Sequence, residues 1–177
     1  MQINENRSKI IIKIANKENF FDLSLCAEEY IELIDNFRQK FLNEQFFVLL
    51  AYWNNVLAGI LVAEDNSQKV DSLEKILPTM SLSLLFINPN YRHKGLGKRL
   101  MNCLIMILLK KGFASISIEL PKNYKEGIHF FLHNDFLNYK FRQIEKTDTK
   151  IILEMNLWND YGIRDCQLIQ LDSSILY

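Results

Sequence analysis

The sequence predicts a mixed α/β domain: a mostly antiparallel sheet of about seven strands, flanked by about four helices. Three observations carry that prediction. Short apolar segments of strand character and longer segments of helical periodicity alternate along the 177 residues. The second, third and fourth strand segments are joined too tightly for crossovers, so they run antiparallel. A long helical segment separates the fourth strand from the fifth, and that length of connection belongs to a parallel crossover.

The elements follow in order. SKIIIKIA (8–15) reads as a first strand. From Phe20 to Leu42 the pattern is helical, with Leu23, Ala27, Tyr30, Ile31, Ile34 and Phe37 close to one face, in one helix or two. QFFVLLAYW (45–53) and VLAGILVAE (56–64) flank Asn54-Asn55 and predict a hairpin, since Asn tolerates positive φ. Asp65 to Thr79 is a polar connection with a helical turn at VDSLEKIL (70–77). Met80 to Asn88 is the next strand, ended by Pro89.

A helix runs from about Leu96 to Lys111, closed by Gly112 at a C-terminal cap position. ASISIEL (114–120) alternates cleanly and stops at Pro121. KEGIHFFLHNDF (125–136) reads as a helix, NYKFRQIEK (138–146) as a strand and KIILEMNLW (150–158) as its hairpin partner. The domain is expected to span residues 1–157, with an unassigned C-terminal extension over 158–177.

Composition narrows the function. Lys+Arg and Asp+Glu both count 21, which argues against a general polyanion binder and so against nucleic acid as a partner. The N-terminus MQINENRSKIIIKI lacks the pattern of a signal peptide, and the longest apolar run, Cys103 to Leu109, is too short for a bilayer. Cys26, Cys103 and Cys166 are odd in number and widely spaced, as expected of free structural thiols in a reducing compartment. The expectation is a cytoplasmic protein with no membrane partner; a homodimer stays open.

Basic charge is concentrated at one place. INPNYRHKGLGKRL (87–100) sets Arg92, His93, Lys94, Lys98 and Arg99 around a Gly-x-Gly turn at the start of the long helix. A helix start is already positive, and each exposed cation there costs about 0.3–1 kcal/mol. The unpaired amides of a first turn converge on a point where an anion binds, and glycines allow the backbone to come close. Two nucleotide loops are ruled out by residue identity. A dinucleotide fingerprint needs glycine where Leu100 stands, and a Walker A loop needs glycine at Arg92 and Ser or Thr at Arg99. A solvated basic turn without a ligand is the plain alternative.

The same stretch resembles the acyl-CoA pyrophosphate loop of the GCN5-related N-acetyltransferases (GNAT). That signature is Arg or Gln, two residues, Gly, one residue, and Gly or Ala, after a strand ending in an aliphatic residue, one residue and Pro. Arg92, Gly95 and Gly97 match it, as do Ile87 and Pro89, and the element order matches from about Ile10 to Leu157. The resemblance implies that amides over His93, Lys94, Gly95, Leu96, Gly97 and Lys98 hold the CoA pyrophosphate. It implies that the fourth strand near Phe86 and Ile87 pairs with the pantetheine, and that strands four and five splay apart there.

The activity implied is acetyl transfer from acetyl-CoA, as co-substrate, to a primary amine of a small molecule or polypeptide by direct attack. A non-catalytic acyl-CoA sensor or scaffold of the same fold is the alternative, and a binder of another nucleotide is a weaker one.

The pattern breaks where the family commonly carries A-I-x-F-Y-x-x-x-G-F, whose Tyr protonates the departing thiolate. Here GIHFFLHNDF (127–136) puts Phe131 on that position, and Phe donates no proton. The family's Asn falls at Tyr124 by strict count, or at Asn123 with a one-residue slip, and Tyr124 and Tyr139 are the substitute hydroxyls. Glu119 and Glu64, at strand ends, are the general-base candidates. His129 and His133 have a metal-ligand spacing but lack the Glu of H-E-x-x-H and any third ligand nearby, so no metal is expected.

Overall fold

The computed structural model describes residues 9–67 and 78–158. Seven strands form a single sheet: β1 (Ile10–Ile14), β2 (Phe46–Trp53), β3 (Val56–Asp65), β4 (Thr79–Ile87), β5 (Ser115–Pro121), β6 (Arg142–Lys146) and β7 (Lys150–Asn156). Among the described residues four α-helices accompany them: α1 (Phe20–Ile31), α2 (Phe37–Leu42), α3 (Leu96–Lys110) and α4 (Lys125–His133). The spatial order is β1-β2-β3-β4-β5-β7-β6, and only β4 and β5 pair in parallel. The expected mixed sheet is therefore the observed one. The helical turn expected at 70–77 and, apart from Trp158, the C-terminal extension with Cys166 lie outside the described residues.

Local signals explain most elements. The β2–β3 hairpin closes through Asn54 and Asn55, both at positive φ (48° and 68°). Two left-handed residues in succession give the turn whose twist suits a hairpin. The Phe20–Leu42 segment resolves into two helices. α1 carries a kink at Ala27, and Asn36, at φ 55°, precedes α2. Leu23, Ala27 and Ile31 of α1, with Phe37 and Phe41 of α2, are buried against β2, β3 and β4. Gly112 closes the turn after α3 at φ 77°.

The opposite face of the sheet carries α3 and α4. Leu96, Leu100, Met101, Leu104, Ile105 and Leu108 of α3 are essentially inaccessible to solvent. They pack on Leu49, Leu61, Met80, Leu82 and Ile116 from the sheet. Beside them Phe131, Phe136 and Phe141 form an edge-to-face cluster under β5 and β7.

One irregularity organises β4. Its register against β3 runs from Leu84↔Val62 to Leu82↔Ala63, so Ser83 is an extra residue. A bulge of one residue exchanges the faces of everything beyond it. Met80 and Leu82, before it, face α3; after it Leu84 and Phe86 face α1, and Leu85 and Ile87 face α3. This is why the sequence alternates as SLSL and then turns uniformly apolar as LLFI: both faces beyond the bulge are covered.

The Phe cluster sets a stability prediction. Phe136 is fully buried and touches three other phenylalanine rings. Phe136→Ala should cost about 3–5 kcal/mol in urea-induced unfolding, the range for emptying an aromatic site in a packed core.

Candidate active site

The site begins where β4 and β5 part. Their parallel pairing runs from Thr79↔Ser115 to Leu82↔Ile118 and goes no further. Beyond it, β4 stays paired with β3 as far as Ile87, and β5 stays paired with β7 as far as Pro121. The sheet thus divides into two halves, with a wedge opening toward the C-terminal ends of the two strands. The bulged Ser83 stands at its apex. On the wedge side, the backbone of 83–87 has no strand partner among the described residues, and its last carbonyl, that of Ile87, accepts from Arg92. Phe86 and Ile87 offer only that backbone, because their side chains are committed. Phe86 is buried with its ring 4.9 Å from Tyr30, and Ile87 packs beneath α3.

At the mouth of the wedge lies the glycine turn. The Asn88 side chain accepts from the Asn90 amide and starts a short 3-10 turn over Pro89–Tyr91. Arg92 then runs extended and donates from Nε to the Ile87 carbonyl at 3.2 Å, tying the loop to the end of β4. His93 (φ 59°) and Gly95 (φ 80°) are both left-handed. For His93 that conformation costs about 1–2 kcal/mol, a strain of the kind held at ligand sites.

The result is a concave run of amides from His93 to Lys98 leading into α3. Among the described residues none of these amides has an acceptor, and no side chain caps the helix. Successive unpaired N–H groups at a helix start form an anion cradle.

The glycines and cations divide their work. A Cβ on Gly95 would meet nothing within 4 Å, so Gly95 is needed for its φ alone. A Cβ on Gly97 would stand 3.2 Å from Phe130 and 3.9 Å from Ile87. Gly97 therefore also lets α3 settle against α4, beyond the ligand approach that its spacing suggested. Leu96 is a core residue with only its amide at the turn. Lys94 is turned aside: its ammonium lies 5.0 Å from the Trp53 ring centre and 5.2 Å from that of Tyr91, and it donates to the Asn90 carbonyl. Lys98 and Arg99 stay exposed beside the cradle.

The hydroxyl and carboxylate candidates are spread unevenly. Tyr124 precedes α4 directly and is half exposed. Its ring lies over Gly127, where a Cβ would fall 2.2 Å from Cε1. Gly127 is thus what seats Tyr124 on the first turn of α4, just past the C-terminal end of β5. Tyr139 sits elsewhere. It pairs with Phe136 in a turn three residues before Arg142, which the register places level with Ser117, where β4 and β5 are still paired. The wedge therefore brings Tyr124 close and leaves Tyr139 apart.

Glu119 is the first β5 residue past the parting, and Lys150 donates to its Oε2 at 2.8 Å. That carboxylate holds the Lys150 ammonium above its ordinary pKa. Glu64, the penultimate residue of β3, has a Lys40 contact of 3.6 Å. Phe131 is a core side chain.

His133 donates from Nδ1 to the His129 carbonyl, and the two rings stack 4.1 Å apart. Among the described residues no third ligand joins them. Burial pushes the Cys26 and Cys103 thiols up, which keeps them unreactive. No helix of the described residues is long and apolar enough to cross a membrane.

Comparison with known proteins agrees with this geometry. The model of the acetyltransferase (GNAT) family matches residues 11–136. Comparison with curated protein sequences finds no match. Among solved structures, the PaiA N-acetyltransferase of Thermoplasma acidophilum, in complex with coenzyme A, superposes with a TM-score of 0.63 at 20% identity, over 84% of this chain and 99% of that one. The ribosomal-protein-S18-alanine N-acetyltransferase of Escherichia coli gives 0.60 at 16% identity, over 96% and 99%. Naa50 of Arabidopsis thaliana, bound to the bisubstrate analogue CoA-Ac-MVNAL, gives 0.62 at 13%, over 82% and 97%. At these identities the likeness is one of fold.

The two glycines of the turn should respond differently to substitution. Gly97→Val should cost about 1–3 kcal/mol by overpacking, and part of that should return when Phe130→Leu is added. Gly95→Val should cost about 1–2 kcal/mol through its φ, with no relief from Phe130→Leu. A double-mutant cycle in denaturant measures both.

Proposed function

The chain belongs to the acetyltransferase (GNAT) family, and from that premise we propose that it transfers an acetyl group from acetyl-CoA to a primary amine of a small molecule or polypeptide. One observation carries this reading: the wedge between β4 and β5 opens directly beside a cradle of unpartnered amides. An acyl-CoA is extended, with a doubly charged pyrophosphate at one part and a thioester at the far end. The cradle suits the first and the wedge the second.

In this reading the amides of His93 to Lys98 bind the pyrophosphate, and the backbone of β4 near Phe86 and Ile87 pairs with the pantetheine amides. An amide at the parting of β4 polarises the thioester carbonyl. The amine nitrogen attacks that carbon, the tetrahedral intermediate collapses, and the C–S bond breaks with its electron pair on sulfur. Phe131 cannot protonate the thiolate, so we assign the hydroxyl to Tyr124, which precedes α4 just past the C-terminal end of β5. Tyr139 is the second choice. Glu119 stands past the parting, but its tie to Lys150 weakens it as a base. Peptide acceptors are supported by the bisubstrate analogue bound to Naa50 and by the ribosomal-protein alanine for which the Escherichia coli enzyme is named.

A second reading rests on Phe131 itself. With the usual acid position filled by a buried ring, the chain would hold acyl-CoA as a sensor without turnover. Thiol release from acetyl-CoA, measured with an alkyl amine, a peptide α-amine and a peptide lysine, separates the two. Amine-dependent release supports the enzyme. Tight CoA binding with no release across the panel supports the sensor.

Tyr124→Phe should lower kcat by up to about 100-fold, the low end for a lost general acid, with acetyl-CoA affinity unchanged. Tyr139→Phe should leave kcat within about two-fold if the assignment to Tyr124 holds. For binding, Lys98→Ala should weaken CoA more than dephospho-CoA, whereas Lys94→Ala, whose ammonium is held by Trp53 and Tyr91, should affect the two ligands alike. Calorimetry with both ligands measures the difference, and the affinities should fall with added salt.

A further inference from the structure

The two edges of the sheet are built differently. β6 is one edge and β1 the other. β6 carries Arg142, Glu145 and Lys146, is exposed along its length, and breaks register with β7 between Gln143 and Glu145. Charge and a bulge are what keep a strand edge from pairing with another chain. β1 reads IIIKI and runs in unbroken register with β2, from Ile10↔Trp53 to Ile14↔Leu49. It holds no proline, and its one charge is drawn inward: the Lys13 ammonium lies over Tyr52 of β2, 5.4 Å from the ring centre. Among the described residues no strand pairs with its outer side.

The hydrogen-bond phase fixes which groups line this edge. The Asn54 amide donates to the Lys9 carbonyl, and the Ala15 amide to the Val48 carbonyl. Bonded positions alternate along an antiparallel pair. Ile11 and Lys13 therefore bond to β2, while the N–H and C=O groups of Ile10, Ile12 and Ile14 point away from the sheet. The side chains of those same three residues lie on the α3 face, because their partners Trp53, Ala51 and Leu49 belong to the layer under α3. Ile14 is 60% exposed. The edge thus presents outward amides and carbonyls with an isoleucine beside each.

We propose that this edge is an interface with a second copy of the chain, which pairs with it antiparallel about a two-fold axis at Ile12. In that register Ile10 stands opposite Ile14 of the other copy and Ile12 opposite its own counterpart. Each outward N–H then meets an outward carbonyl. The isoleucines of both copies close into one cluster on the α3 face, which covers Ile14. On the opposite face Lys13 stands across from Ile11 of the other copy, so no like charges are opposed.

The neighbouring registers fit less well. An axis at Lys13 sets two lysines face to face, which is destabilising. An axis at Ile11 leaves Ile14 outside the paired strands. The five residues are therefore self-complementary in one register, as a two-fold contact requires. The wedge between β4 and β5 lies beyond β2 and β3 from this edge, so the pairing leaves the candidate site of each copy open.

Sedimentation velocity of the full chain over a concentration series tests the association. One paired strand edge is a small interface, for which a dissociation constant of about 1–100 µM is expected. Ile14→Lys, at an exposed position, should raise it at least about ten-fold by burying a charge at both ends of the isoleucine cluster. Its melting temperature at high dilution should match that of wild type, which reports an intact fold. Ile12→Cys should give an intermolecular disulfide on mild oxidation, beyond the wild-type background, since residues directly opposite have Cα atoms about 5.5 Å apart. Ile14→Cys should not, because its counterpart lies four residues along the partner strand, about 14 Å away. Hydrogen exchange at the Ile10, Ile12 and Ile14 amides should slow as concentration rises. A chain that is monomeric throughout, a dimer that Ile14→Lys leaves intact, or a cross-link no stronger at 12 than at 14 each overturns the interface. So does protection of the edge amides that is the same at every concentration, which would mean that another part of the same chain covers β1.

Discussion

Everything at the candidate site depends on one incomplete pairing. β4 and β5 pair only from Thr79 to Leu82; past that point β4 continues with β3 and β5 with β7, in two separate halves of the sheet. An unsatisfied strand edge inside a protein is costly, and the wedge is where this fold keeps one. The bulge at Ser83 makes the cost bearable on the side-chain side. By exchanging faces it keeps Leu84 and Phe86 on α1 and Leu85 and Ile87 on α3, so the backbone is left open without exposing an apolar edge.

The same parting fixes where the glycine turn begins. β4 ends at Ile87, and Arg92 reaches back from Nε to the Ile87 carbonyl, so the loop begins from a fixed point. α3 is anchored one residue after Gly95 by the buried Leu96, and again by Leu100. Between these fixed ends, the left-handed His93 and Gly95 turn successive amides to one side. The loop is therefore organised by the core on both flanks, which limits what its own flexible cations need to do. Lys94 illustrates the point, since its charge is spent on Trp53 and Tyr91 of the scaffold.

The departure at Phe131 is a coherent rearrangement of α4. A phenylalanine there joins Phe136 and Phe141 in the core, and a small residue at Gly127 admits the ring of Tyr124 one turn earlier. An alanine at 127 would push that ring off the helix. Phe131 leaves no hydroxyl inside α4, while Tyr124 stands half exposed just before its first turn.

The sequence by itself determined the element order, the Asn-Asn hairpin, the parallel crossover and the basic glycine turn, because each has a local cause: periodicity, positive φ, connection length and charge beside unpaired amides. It also marked Phe131 as lacking a proton. Three things were decided only in the tertiary structure. The break of α1 from α2 near Asn36 follows from how both helices bury on β2, β3 and β4. Gly97 turned out to face Phe130, a contact between two helices far apart in the chain. The edge at β1 exists only once the strands take their order, since no spacing along one chain tells which strand will stand outermost in a sheet.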